Sequence, residues 1–143
     1  MKGFVLVFLL FFSSFLKVLP LGEFRWLSGL DGLAFSQNNR LWATYYGTTV
    51  TDEARGVATD IVGNVYVAGH TSSISGISSG GFQNTYGGGS YDAFLVKFDA
   101  VGNRLWATYY GGMGEEYVES VVVDASGNVY LVGNTQSVSG ISS

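Results

Sequence analysis

The sequence predicts an all-β fold, from its composition and from an internal repetition. Gly accounts for 21 of the 143 residues, and only 13% of the residues are charged. Gly supplies the positive φ of tight turns between short strands, whereas long amphipathic helices need more Glu and Lys than this chain has. The run LWATYYG occurs at residues 41–47 and again at 105–111, which indicates a repeat architecture.

Residues 1–34 are predicted to be a hydrophobic leader with a linker. An uncharged apolar run lies between Lys2 and Lys17, which resembles the first two regions of a secretory signal. The run is shorter than the about 20 residues that a membrane-spanning helix needs. No small-x-small cleavage triplet follows it closely. Because of the signal-like apolar run we expect a secreted or cell-surface protein. An uncleaved anchor and a chance leader on a truncated reading frame are the alternatives.

The rest of the chain is a tandem duplication with a period of 64 residues. When residues 40–79 are aligned with 104–143, 22 of 40 positions are identical without a gap. Agreement of this extent over an ungapped stretch indicates a repeated structural unit. The sequence therefore predicts a first, incomplete repeat over residues 35–90 and a second repeat over 91–143.

The second repeat contains strand-like runs that are separated by turn residues. The short connections AVGN and ASG favour antiparallel hairpins. Four antiparallel strands per repeat are typical of a propeller blade, with the Gly-rich segment 80–92 as the linker between blades. In the first copy, DGLAFSQNN (31–39) stands where the first strand is expected. The predicted strands are DAFLVKFD (92–99), RLWATYYG (104–111), YVESVVVD (117–124) and NVYLVGNT (128–135).

Two runs, DAFLVKFDAVGNRLWATYYGG and VVVDASGNVYLVGNT, resemble the SBBP repeat family of bacterial β-propeller proteins. The resemblance implies tandem four-stranded blades in an exported or surface-associated bacterial protein, and most family members have no assigned activity. A closed propeller has about four to eight blades. About two blades, the first incomplete, therefore predict either self-association or a longer parent chain.

Charge and cysteine content exclude several kinds of partner and chemistry. From Arg40 onward the chain has four basic and nine acidic residues. No basic patch is present to displace counterions from a phosphate backbone, so we expect no nucleic-acid partner. Cysteine is absent, which excludes a thiolate metal site and a cysteine nucleophile.

The motif D-x-x-G-N has two interpretations. Its oxygens are suited to calcium, but one Asp and one Asn supply too few ligands for six-fold coordination. Asp also closes turns by accepting hydrogen bonds from loop amides, while Gly or Asn takes the left-handed conformation. We favour the turn interpretation for the three copies, Asp60–Asn64, Asp99–Asn103 and Asp124–Asn128.

His70 and the acidic pairs are the candidates for catalysis. His70 aligns with Asn134 in the second repeat, which favours a polar loop edge over a general base. Asp52 and Glu53, like Glu115 and Glu116, offer adjacent carboxylates for glycoside hydrolysis. Because an acidic residue recurs in each repeat, we favour a structural or solubilising role, with weak cation or sugar contact as the alternative.

The repeated aromatic residues suggest either packing or a stacking platform. Blades bury large side chains against their neighbours, so we favour packing between blades, with a carbohydrate or peptide platform as the alternative. The residues are Trp42, Tyr45, Tyr46, Trp106, Tyr109 and Tyr110.

Together these patterns predict a non-enzymatic scaffold whose loops bind a protein or a glycan. No catalytic, cofactor-binding or metal-binding residue is assigned, and no cofactor is expected. The first alternative is a truncated fragment of a larger propeller protein without independent function. A propeller-fold lyase or glycosidase is less favoured, because the chain has no non-repeated cluster of His, Asp, Glu or Arg.

Overall fold

A computed structural model describes residues 5–10 and 40–141. Among these residues no helix is long and apolar enough to cross a membrane, and the strands form antiparallel sheets, which confirms the predicted all-β class. The strands are β1 Val5–Leu10, β2 Arg40–Tyr46, β3 Asp52–Thr59, β4 Val65–Thr71, β5 Asp92–Phe98, β6 Arg104–Tyr110, β7 Glu116–Val123 and β8 Val129–Thr135.

The middle sheet has four strands in the order β3-β4-β5-β6. The expectation that residues 92–135 form one blade is therefore wrong. β4 and β5 pair without interruption from Val65↔Phe98 to Thr71↔Asp92, across the segment that was predicted to link blades. β7 and β8 form a separate sheet, because β7 packs against β3 and β4 instead of pairing with β6. The middle sheet thus combines the last two strands of the first sequence repeat with the first two strands of the second.

The first sheet pairs β1 with β2. Leu6 lies opposite Tyr45 and Leu10 opposite Arg40, the register in which Phe94 and Phe98 pair with β6. β1 therefore takes the position of the strand that the first repeat lacks, a pairing that the sequence analysis did not anticipate. The rest of the leader and its cleavage region, and the interrupted segment before Arg40, lie outside the described residues.

The middle sheet is covered on both faces. Trp42 and Tyr46 of β2 pack on one face, with ring centroids 5.6 Å from Phe98 and 5.5 Å from Phe94. Val118 and Val121 of β7 pack on the other face, beside Tyr66. Residues 79–83 run along the outer edge of β6 and satisfy part of its backbone. The sheets are therefore stacked face to face, as blades are in a propeller.

Candidate functional site

The D-x-x-G-N segments are closed turns. Asp60 Oδ1 accepts hydrogen bonds from the N–H groups of Val62 and Asn64, and Oδ2 accepts one from Asn64 Nδ2. The other two copies repeat this pattern. The Asn side chain and the loop amides hold the pKa of Asp99 and Asp124 below the usual range. These contacts favour the turn interpretation, because the carboxylate oxygens already serve the loop.

Asp52 and Glu116 are buried carboxylates at the first positions of β3 and β7. Asp52 accepts hydrogen bonds from the Thr48 N–H at 2.7 Å and the Ser73 hydroxyl at 2.9 Å, and from the Thr71 hydroxyl. Each carboxylate thus ties the connection before its strand to the end of the neighbouring strand. This supports the structural role predicted for the recurring acids, while burial excludes a solubilising role for these two.

Glu116 makes the equivalent contacts in the second repeat. It accepts hydrogen bonds from the Gly112 N–H at 3.1 Å and the Thr135 hydroxyl at 2.7 Å. The acidic neighbour in the first repeat, Glu53, is exposed and pairs with Arg55 at 2.7 Å. Adjacent residues of a strand point to opposite faces. The two carboxylates of the Asp52–Glu53 pair therefore do not face one substrate together.

Replacing Asp52 with Ala should lower the free energy of unfolding by about 2–3 kcal/mol, because the buried hydroxyls of Thr71 and Ser73 and the part-buried Thr48 N–H lose their shared acceptor. Urea denaturation at one fixed protein concentration measures the loss. Glu53→Ala is the matched control and should stay within about 0.5 kcal/mol of the wild type, since Glu53 is exposed. Equal effects of the two substitutions would contradict the assigned role.

Asp92 is a buried carboxylate that the sequence analysis missed. It begins β5, and its Oδ2 accepts a hydrogen bond from the Gly87 N–H at 2.5 Å. Its Oδ1 has no hydrogen-bond partner among the described residues. Burial and then the nearby Glu116 carboxylate raise the pKa of Asp92. The signal in the sequence was an acidic residue directly after a Gly-rich segment, at the first position of a predicted strand.

Asp92 and Glu116 flank the backbone of the connection between β6 and β7. A Cβ added at Gly111 would lie 2.4 Å from Glu116 Oε2 and 3.0 Å from Asp92 Oδ1. Among the described residues, no group of three or more His, Cys, Asp or Glu side chains is placed to hold a metal ion. The carboxyl groups of Asp92 and Glu116 thus both lie against the backbone of this Gly-rich connection.

His70 lies inside β4 and is buried, so the expected polar loop edge is wrong. Its ring packs edge-to-face on Tyr91 and Tyr117, with centroid distances of 5.4 and 4.9 Å. Its Nε2 is 3.7 Å from Glu53 Oε2. Burial lowers the pKa of His70 although Glu53 opposes this effect. The repeat-equivalent Asn134 is exposed, because no sheet among the described residues covers β8 as β7 covers β4.

The stability of the fold should fall as the pH drops below 6.5, the usual pKa of histidine. Because burial lowers the pKa in the folded state, the unfolded chain takes up this proton first. The stabilisation is therefore complete above pH 6.5 and is lost as the pH falls towards the depressed pKa. Urea midpoints at about pH 7.5 and about pH 5.5 should differ more for the wild type than for His70→Asn. If the difference between the two urea midpoints were the same in His70→Asn as in the wild type, the assignment of this pH dependence to His70 would be wrong.

The repeated aromatic residues do not share one environment. Trp42, Tyr46 and Tyr109 are buried between sheets, as the packing interpretation predicts. The Tyr46 hydroxyl donates to the Ile77 carbonyl at 2.6 Å, and the Tyr109 hydroxyl donates to the Ser73 carbonyl at 2.7 Å. Tyr45 and Tyr110 are exposed. A stacking platform built from all six rings is therefore not formed.

Exposed Tyr110 borders a groove of about 260 Å³ between the β5–β6 half of the middle sheet and the β7–β8 sheet. This volume is below the roughly 300–1,000 Å³ of ordinary small-molecule sites. The groove is lined by Ala93, Tyr110, Glu116, Tyr117, Val118, Leu131, Val132, Gly133, Asn134, Thr135 and Ile141.

Antiparallel sheets stacked face to face, with turns and buried carboxylates that recur in each repeat, define a β-propeller-type repeat protein. The family is that of the SBBP repeats. Its model, described as a beta-propeller repeat, matches residues 41–74 and 105–138. The chain therefore carries two SBBP repeats, which confirms the resemblance seen in the sequence. Each match begins in the last strand of one sheet and ends just after the second strand of the next.

The chain is also similar to an uncharacterized WD repeat-containing protein of Acanthamoeba polyphaga mimivirus. The two are 31% identical over 104 residues, which cover 68% of this chain and 7% of that protein. The chain thus spans a small part of the length of this relative.

Proposed function

We propose that the chain is a non-enzymatic repeat scaffold that binds a protein or glycan ligand through the connections between its strands. The observation that carries the proposal is that the polar side chains at the strand starts stabilise the fold, whereas the connections expose apolar side chains. The buried carboxylates at the strand starts are engaged in hydrogen bonds that hold the fold. The connections 72–91 and 111–115, by contrast, expose three large apolar side chains, Ile74, Phe82 and Met113.

The two connections lie at the same end of the strands and touch each other. A Cβ added at Gly88 would lie 3.0 Å from the Met113 Cα, so segments 72–91 and 111–115 are in contact. Loops held by a rigid scaffold are the usual place for binding residues in repeat and propeller proteins. The apolar character of this surface favours a ligand with apolar groups over a charged one.

Selection of a random peptide library and screening of a glycan array against the wild-type chain test this proposal. Ligands that bind should be lost on the double variant Phe82→Ser, Met113→Ser. Ile61→Ser is the matched control, because Ile61 is equally exposed but lies in the turn between β3 and β4, at the other end of the strands. Ligands that bind the double variant unchanged would refute the proposed surface.

We also propose a secreted or cell-surface location, which the apolar run between Lys2 and Lys17 supports. Because Val5–Leu10 form β1 of the fold, the proposed leader stays on the chain after export. Fusion of the chain to a periplasm-dependent phosphatase reporter should give activity in a bacterial host. Lys and Asp substitutions inside the apolar run should abolish that activity. Equal reporter activity with and without the substitutions would contradict export.

A further inference from the structure

β4 and β8 have nearly the same sequence but opposite environments. All seven residues of β4 are buried, whereas six of seven in β8 are exposed. β4 pairs with β3 on one edge and β5 on the other. Among the described residues β8 pairs with β7 alone, so it presents an open edge. Its outward face is apolar: Val132 is 62% exposed, while its equivalent Ala68 is 0% exposed.

β1 and β2 present the complementary surface. β1 pairs with β2 in the same register as β5 pairs with β6. The edge of β1 that faces away from β2 therefore corresponds to the edge of β5 that pairs with β4. Among the described residues β1 pairs with β2 alone. On β3, Val57 is 62% exposed, whereas its repeat equivalent Val121 is 5% exposed and packs in a core with Tyr66 and Ala68.

We propose that two copies of this chain associate head to tail, so that β7 and β8 of one copy and β1 and β2 of the next form a single four-stranded sheet. Its order, β7-β8-β1-β2, reproduces β3-β4-β5-β6. The register of β4 and β5 places Val129 opposite Leu10 and Leu131 opposite Phe8. This inference goes beyond the proposed scaffold function, because it names an interface and its occupant.

The same arrangement covers the exposed face of the β7–β8 sheet. Val57 of the second copy then meets Tyr130 and Val132, as Val121 meets Tyr66 and Ala68 within one chain. The groove beside Tyr110 receives β1 and β2 of the second copy, just as Tyr46 is covered by the middle sheet. One contact therefore accounts for the open edge, the apolar face and the groove.

The interface joins two different surfaces, so repeated association closes into a ring when the rotation between copies allows it. The described residues of each copy contribute eight strands, equivalent to two four-stranded sheets. Propellers have about four to eight blades, so the expected rings contain roughly two to four copies. Ring formation also pairs the open edges of β8 and β1, which otherwise promote aggregation.

Light scattering coupled to size-exclusion chromatography measures the assembly of the 143-residue chain. The wild type should have a discrete mass of two, three or four times 15.3 kDa. Val57→Lys and Val132→Lys each place a charge in one half of the interface, and each should be a monomer. Val62→Lys is the matched control and should assemble like the wild type, because Val62 is equally exposed in a turn outside the interface. Mass spectrometry of the same sample should show that residues 5–10 remain on the chain, and assembly of a chain that lacks them would overturn the proposal.

A mixture of the two Lys variants gives the decisive result. Val57→Lys retains the β7–β8 surface and Val132→Lys retains the complementary surface, so an equimolar mixture should form a dimer with one intact interface. Dimer formation also shows that both variants are folded. A monomeric or indefinitely aggregated wild type, or a mixture that stays monomeric, would overturn the proposal. If either single variant kept the mass of the wild-type assembly, the proposal would also be overturned. The exposed faces around Val57 and Val132 would then belong to an interface with another partner.

Discussion

Replacing Phe94 with Ala should lower the free energy of unfolding by about 3–5 kcal/mol, because it removes a large side chain from a packed core. Phe94 is fully buried at the centre of the middle sheet, with Tyr46 of the neighbouring sheet 5.5 Å from its ring. The surrounding strands are held by pairing on both sides, so the cavity closes only partly. Urea denaturation at fixed protein concentration measures the loss.

Phe82→Ala is the matched control for Phe94→Ala. Phe82 is 85% exposed, so its truncation should change stability by less than about 0.5 kcal/mol. A loss below about 1 kcal/mol for Phe94→Ala is incompatible with a core between the first two sheets.

Replacing Gly69 with Ala should cost about 3 kcal/mol, the upper end of the range for overpacking, because it separates β3 from β4. A Cβ at position 69 would lie 1.9 Å from the Glu53 carbonyl oxygen and 2.9 Å from the Ala54 Cα. Both are backbone atoms and have no alternative rotamer. The close approach occurs where β3 bulges between Ala54 and Gly56. The same bulge recurs opposite Gly133 in the second repeat, so this contact is a feature of the repeat.

Gly127→Ala separates steric contact from backbone strain. Gly127 has a φ of 84°, but no atom lies within 4 Å of the added Cβ. The expected cost is therefore only the left-handed conformation, about 1–2 kcal/mol. In thermal or urea unfolding, the midpoint of Gly69→Ala should be well below the midpoint of Gly127→Ala. The reverse order would show that β3 and β4 are not in close contact at the bulge.

The strands and turns could be predicted from the sequence because their signals are local. The run RLWATYYG predicted the strand Arg104–Tyr110, and YVESVVVD predicted Glu116–Val123 to within one residue. The three D-x-x-G-N turns follow from one Asp and one Gly each. The duplication also predicted which residues recur in equivalent positions, including the buried acids at the starts of β3 and β7.

The grouping of strands into sheets could not be predicted in the same way. Pairing of β4 with β5 joins strands separated by residues 72–91, and no local pattern distinguishes it from pairing of β6 with β7. The burial of His70 depends on Tyr91 and Tyr117, which come from a connection and from another sheet. Identical repeats therefore predict identical local structure, but the neighbours of each copy decide its burial and the pKa values of its side chains.

Hydrogen–deuterium exchange by mass spectrometry tests most directly whether one sheet joins the two repeats. The sample is Val57→Lys, because its β8 is expected to have no second copy to pair with. Peptides from β4 (Val65–Thr71) should exchange slowly and those from β8 (Val129–Thr135) rapidly, although their sequences differ at only three positions. Equal protection of the two peptides, or faster exchange in β4, would contradict a sheet ordered β3-β4-β5-β6.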